Sequence, residues 1–218
     1  MGLLDNGAAS EEEGDITDIP CDYCFHYLFH GSTEITSVSE DFLPATGLTT
    51  WCYEYMFQGC TSLTKVPNLP ATALDYNCYK GMFDGCTSLT KAPDLPATTL
   101  EENCYDSMFS GCSSLTTAPA LPATTLVTSC YLSMFQNCTS LTKAPELPAT
   151  TLIDYCYDSM FSGCSSLNSI KIGYTSNYDS KYFSSWVSGV ADSGTFYYNG
   201  VDSPANFGFP VGWTKSPF

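Results

Sequence analysis

Twelve cysteines and two histidines are the residues of this 218-residue chain best suited to chemistry, as disulfide partners, thiolate nucleophiles or metal ligands. Their spacing bears on which. Cys52, Cys78, Cys104, Cys130 and Cys156 follow one another at steps of 26, as do Cys60, Cys86, Cys112, Cys138 and Cys164. The two members of a pair stand eight residues apart. On a helix that is about 12 Å along the axis, beyond the roughly 7 Å between Cα atoms that a disulfide spans. Neighbouring helices, at roughly 8–10 Å, are also too far apart for like columns to bridge. The expectation is two columns of buried thiols serving as small hydrophobes; bridging between columns and metal binding are the alternatives. Cys24 falls in the first column, which leaves only Cys21 outside both.

Both histidines gather near the first cysteines, in Cys21-Asp-Tyr-Cys24-Phe-His26-Tyr-Leu-Phe-His30. His26 and His30 stand four residues apart and could share a metal, with Cys21 as a further ligand. The single residue between Cys24 and His26 matches no zinc-finger spacing. The stretch therefore reads as a polar N-terminal cap, with no metal or other cofactor expected. The sequence contains no Gly-x-Ser-x-Gly, no phosphate loop and no Gly-x-Gly-x-x-Gly. Its acidic groups, such as Glu101-Glu102 and Glu11 to Glu13, fall on an exposed face or in a tail. These features point away from an enzyme.

The charge balance narrows the partners. Seven lysines and no arginine face 23 acidic residues, for a net charge of −16. Such a field repels nucleic acid and anionic membrane surfaces, and no apolar run approaches the roughly 20 residues of a spanning helix. Met1-Gly2-Leu3-Leu4-Asp5-Asn6 has neither the basic start nor the apolar stretch of a signal peptide. Apolar content of 44% is ample for a core.

The elements that must position these residues follow from the same period. Each unit reads Leu-Pro-Ala-Thr-Thr-Leu-x-x-x-Cys-Tyr-x-x-Met-Phe-x-Gly-Cys-Thr-Ser-Leu-Thr-x-Ala-Pro-x, and five copies are plain. A fixed period of this size marks a stacked array. An earlier unit is visible at Cys24 to Ser32, offset by 28 because Asp41-Phe42 are inserted. A later one is visible at Tyr182-Phe183, Trp186, Gly189 and Val190. At about 100° per residue, Cys52, Tyr53, Met56, Phe57 and Cys60 share one face while Glu54 and Gln58 point away. This predicts a short amphipathic helix per unit. Thr99 and Thr151 would serve as N-caps, with Glu102 and Asp154 completing capping boxes. Gly59, Gly85, Gly111, Asn137 and Gly163 would lie at the helix exits. The Ser-Leu-Thr-x-Ala-Pro segment predicts a short strand, ended by proline.

The variable position of that strand holds Lys65, Lys91, Thr117 and Lys143, flanked by Ser37 and Ser169. Paired strands would stack these about 5 Å apart on one face. Three residues on, the column reads Asn68, Asp94, Ala120 and Glu146. The lysines are either solubilising charges partly neutralised by the acidic column, or a ligand-contact stripe where solenoids bind. Asn68, Asp94 and Glu146 would join Lys65, Lys91, Thr117 and Lys143 in that stripe.

Met-Phe-x-Gly-Cys-Thr-Ser-Leu-Thr followed by Leu-Pro-Ala-Thr-Thr-Leu resembles the BspA-type leucine-rich repeat, here in a longer, cysteine-containing form with Met-Phe where the family has Ala-Phe. The resemblance covers about residues 20 to 214. It implies an α/β solenoid, a right-handed superhelix with one short strand and one short helix per 26-residue repeat, capped at both ends. Residues 1–19 would be an acidic flexible leader, 20–173 the repeats, and 174–218 a degenerate seventh unit with an aromatic cap. Tyr182, Trp186, Phe196, Tyr197, Tyr198, Phe207, Phe209 and Trp213 would build that cap as a helix and a small hairpin, and an exposed subset of them could bind glycans. In function, the resemblance implies a non-catalytic adhesion module on the outside of a Bacteroides-like cell, recognising a protein or a glycan through the solenoid face. The alternative from another class is a structural or host-recognition component of a phage virion, such as a fibre or decoration protein.

Overall fold

The computed structural model describes residues 17–218. The acidic leader expected over 1–19 therefore lies, except for its last three residues, outside the described residues. Those three pair with the first full repeat: the Ile19 N–H donates to the Gly47 carbonyl at 2.8 Å, and Asp18 bridges Gly47 in parallel.

The repeats stack as a solenoid, but the expected helix does not form. Between the two cysteines of each unit the chain runs through consecutive tight turns. In the first full unit the N–H groups of Cys52, Glu54, Met56, Gln58 and Cys60 donate to carbonyls three residues back, at 3.1–3.3 Å. The alternate N–H groups of Tyr53, Tyr55, Phe57 and Gly59 donate instead to Cys78, Lys80, Met82 and Asp84 of the next unit, at 2.7–3.0 Å. Half of the amides thus close turns and half bind the neighbouring coil. Every fourth residue takes a left-handed backbone: Trp51, Tyr55 and Gly59 in one unit, Asn77, Gly81 and Gly85 in the next, at φ between 52° and 72°. This is the geometry that the third residue of a type II turn demands. Thr99 and Thr151 accordingly cap no helix. Gly59, Gly85, Gly111, Asn137 and Gly163 do sit at positive φ, as the end of a turn ribbon rather than of a helix.

The inward set is the expected one. Cys52, Met56, Phe57 and Cys60 are fully buried and Tyr53 is 1% exposed. A four-residue turn period and a 3.6-residue helix place the same five positions inside, so the burial pattern alone cannot separate them. Stacking repeats each ring above its equivalent. Tyr53, Tyr79, Tyr105, Tyr131 and Tyr157 form one ladder with centroids 5.8–6.2 Å apart. Phe29, Phe57, Phe83, Phe109, Phe135 and Phe161 form another at 5.3–5.8 Å. Offset stacks of this kind contribute about 0.5–1.5 kcal/mol per pair beyond burial. The first unit keeps the register, since the N–H groups of Phe25, Tyr27, Phe29 and Gly31 donate to Cys52, Glu54, Met56 and Gln58. Its inserted Asp41-Phe42 is absorbed by a 3₁₀ turn at Glu40–Phe42.

The opposite side of each coil is extended. Ser37 bridges Lys65 and Lys91 bridges Thr117 in parallel. Pro67, Pro93 and Pro119 carry no N–H with which to extend these bridges, and the equivalent Pro145 falls where the next pairing shifts register. A continuous sheet appears only toward the C-terminus, in the order β1 (Lys143–Leu147), β2 (Ser169–Ile172), β3 (Ser193–Tyr197), β4 (Gly212–Ser216), with every pairing parallel. Between β2 and β3 lies a one-turn helix, α1 (Ser180–Phe183). The C-terminal hairpin expected from sequence is thus a parallel pair: β3 and β4 add further strands in the same sense, because the connecting chain crosses the end of the coil before returning. Its aromatics pack over the last repeat, with Trp186 against Phe209 at 5.6 Å and the Trp213 indole N–H on the Ala191 carbonyl at 2.7 Å. Phe196, Tyr198, Phe207, Phe209 and Trp213 are buried; Tyr182 and Tyr197 are half-buried.

Candidate binding surfaces

The cysteines build structure. Ten are free and buried. Those of the second column act as staples between coils: the thiols of Cys86, Cys112, Cys138 and Cys164 donate to the carbonyls of Phe57, Phe83, Phe109 and Phe135 in the preceding unit, at 3.0–3.2 Å. The Phe57 carbonyl also accepts the Cys60 N–H of its own unit at 3.1 Å, so both of its lone pairs are engaged. Burial pushes the thiols of Cys52, Cys104, Cys156 and Cys164 up to about 12, which keeps them protonated and poor nucleophiles. Cys24 departs from the expected pattern. It is half-buried and forms a disulfide with Cys21, with Cα atoms 5.6 Å apart, because a tight turn brings residues three apart together. Cys21 is therefore no metal ligand, and His26 is directed to Glu54 rather than toward His30: its Nε2 lies 3.1 Å from the carboxylate. Among the described residues no three His, Cys, Asp or Glu side chains come together in a metal-holding group.

The seven residues of the strand stripe lie on the extended side. The register stacks Ser37 on Lys65, Lys91 on Thr117, and Lys143 on Ser169. Lys65, Lys91, Asn68 and Asp94 line a shallow depression of roughly 270 Å³, and Thr117, Lys143 and Glu146 line the next one, of roughly 360 Å³. Lys65, Lys91 and Lys143 are exposed, and among the described residues none of them is ion-paired. Of the acidic column, Asp94 shares a depression with Lys65 and Lys91, and Glu146 is paired with Lys171 at 3.3 Å, from the neighbouring strand position.

The outer side of the turn ribbon carries two features that helical reasoning missed. One is a column of alternating charge, His26, Glu54, Lys80 and Asp106. Glu54 does not point into solvent; it is 8% exposed, because the ribbon lays it against the next coil. Lys80 meets Asp106 at 3.2 Å. Burial raises the pKa of Glu54 and lowers that of His26. For Lys80, burial pulls downward but Asp106, Tyr55 and Glu54 outweigh it, and its pKa is raised.

The other feature is a set of outward aromatics in the first two units. Tyr23 stacks on Trp51 at 4.6 Å and 12°, and Tyr27 stacks on Tyr55 at 5.1 Å and 13°. All four occupy left-handed positions, at φ of 52–57°. The same columns in the middle units carry Asn77, Asn103 and Ser129, or Gly81, Ser107 and Ser133. A left-handed backbone costs an L-residue about 1–2 kcal/mol, and bulky side chains rarely adopt it. Two stacked pairs offset about 1–3 kcal/mol in total, less than the strain of four such residues. The signal in the sequence was Asn77, Gly81 and Gly85 at four-residue intervals, residues that tolerate positive φ.

Six copies of the BspA type leucine rich repeat region match this chain, over residues 23–118 and 79–188. No curated protein and no solved structure matches it. The matched span takes in all the turn-ribbon units and the whole lysine stripe, and the family is one of repeat modules that bind proteins. With its 26-residue period, stacked coils and parallel extended side, the chain belongs to the BspA-type leucine-rich-repeat family.

Proposed function

We propose that this chain is a non-catalytic binding module displayed outside the cell, and that its extended side holds a protein ligand along Lys65, Lys91, Thr117 and Lys143. One observation carries the reading: three exposed lysines, unpaired among the described residues, recur at the same position of their coils, each bridged in parallel to a serine or threonine of a neighbouring coil. Lys65 and Lys91 line one depression, where like charges repel, and an acidic segment laid across them would relieve that repulsion. Asn68 and Asp94 beside the row supply acceptors for donors on the same ligand. No helix among the described residues is long and apolar enough to cross a membrane. The extracellular assignment rests on the family, whose members typically work at or beyond the cell surface.

The test is a screen of the intact chain against immobilised extracellular proteins, with Lys65→Ser, Lys91→Ser and Lys143→Ser combined as the control. Each exposed pair is worth at most about 1 kcal/mol, so the triple variant should bind its partner about tenfold or more weakly, with an unchanged melting temperature. Wild-type binding should also weaken with added salt. A triple variant that binds like wild type sinks the proposal.

A further inference from the structure

The outward aromatics of the first two units do no work for the core. That end of the solenoid is already filled by Phe25 on Tyr53 at 5.5 Å and Phe29 on Phe57 at 5.3 Å. Tyr23 and Tyr27 are 50% and 45% exposed, and Trp51 and Tyr55 lie half-buried beneath them. Every coil takes the same left-handed backbone here, but the middle coils fill these columns with Asn, Gly or Ser, and a ring returns only at Tyr155. The neighbouring coil also makes room for a ring: the position after Tyr55 in its column is Gly81, where a Cβ would overlap the Tyr55 ring. Later coils carry Ser107 and Ser133 at that place. A costly arrangement that is accommodated by its surroundings and left open to solvent is the pattern expected of a ligand surface.

Its polar partners indicate which ligand. The His26 ring stands between the two stacks, 5.6 Å from Tyr23 and 4.2 Å from Tyr27, and its Nε2 is bound to Glu54 at 3.1 Å. The Glu54 carboxylate is already engaged by His26 and lies near Lys80, so it is not free to hold a cation over the rings. The basic groups nearest the rings, His26 and Lys80, are likewise taken by Glu54 and Asp106, so neither is free to hold an anion. What remains is an uncharged ligand with a flat apolar face to lie on aromatic rings and hydroxyls at its edge to meet an imidazole–carboxylate pair. That is the chemistry of a pyranose ring. We propose that Tyr23, Tyr27, Trp51 and Tyr55, with His26 and Glu54 between them, form a second binding surface that takes a neutral glycan chain. It lies on the turn-ribbon side, away from the lysine row, and does not depend on that row's function.

The test is affinity electrophoresis of the whole chain in gels containing mixed-linkage β-glucan, xyloglucan, galactomannan or α-mannan, with polygalacturonate as the acidic control. The key variant combines Tyr23→Asn, Trp51→Asn, Tyr27→Ser and Tyr55→Ser, the residues that the middle coils use in these columns. Wild type should be retarded by at least one neutral polysaccharide and not by polygalacturonate, with a change in tryptophan fluorescence. Trp186 and Trp213 are only 1% and 5% exposed, so that change reports Trp51. The variant should lose retardation by about tenfold or more in affinity while melting no lower than wild type. The lysine triple variant should be retarded like wild type, which separates this surface from the first. Absence of retardation in every neutral gel overturns the proposal, as does undiminished retardation of the quadruple variant. A quadruple variant that melts well below wild type also overturns it, since the rings would then be serving the fold.

Discussion

The two long sides of each coil use the same repeat in opposite ways. On the turn-ribbon side, alternate amides bond to the next coil, two aromatic ladders run beneath, and thiols tie each unit to the carbonyls of the one before. On the extended side, prolines punctuate the strands, and as far as Thr117 the bridges there are isolated ones such as Ser37–Lys65 and Lys91–Thr117. The first side is where cohesion lies and the second is free to vary. The difference teaches that the conserved-looking positions within this repeat are those through which neighbouring coils are bonded, whereas the lysine stripe occupies positions that stacking barely constrains.

The largest expected effect is alkaline collapse of the ribbon. Ten buried thiols keep their protons in the folded chain, several up to about 12, whereas an unfolded thiol titrates near 9.0. The folded pKa is raised, so this stabilisation is complete below pH 9 and is lost as pH climbs toward 12. At pH 10 the unfolded chain gains about 1 kcal/mol for each thiol held protonated in the fold, and several such thiols together make a large share of a typical folding free energy. Thermal melts followed by circular dichroism should show the melting temperature falling steeply as pH rises above about 9; a melting temperature that stays flat to about pH 11 would refute the account. Next, Phe109→Ala removes a fully buried ring from the middle of a ladder and should cost about 3–5 kcal/mol in urea unfolding. Gly111→Ala forces a Cβ onto a backbone at φ 68° and within 3.4 Å of the Gly85 Cα; it should cost about 1–2 kcal/mol by the same measurement. At the other extreme, the triple substitution of Lys65, Lys91 and Lys143 should leave stability within about 0.5 kcal/mol. A large loss there would erase the contrast between the two sides.

Much of this was legible in advance. The period, the seven units, the insertion at Asp41-Phe42 and the inward set could be read directly, since burial follows the identity of Cys52, Tyr53, Met56, Phe57 and Cys60. The stacking of Lys91 on Thr117 followed from equal spacing alone. The Cys21–Cys24 disulfide was hidden because a helical reading places Cys24 in a core column, and the burial of Glu54 was hidden for the same reason. The outward aromatics carry no pattern in the sequence, since Tyr23, Tyr27, Trp51 and Tyr55 mean little until the ribbon lines them up in two columns.

The sequence by itself determined which residues face inward and how many times the unit repeats, because both depend only on side-chain type and spacing. Whether the segment between the cysteines would be a helix or a ribbon was decided by tertiary structure. A helix satisfies its amides internally, whereas in this ribbon Tyr53, Tyr55, Phe57 and Gly59 find their acceptors only in the next coil. No single unit contains those partners, so the local conformation exists only once the coils are stacked.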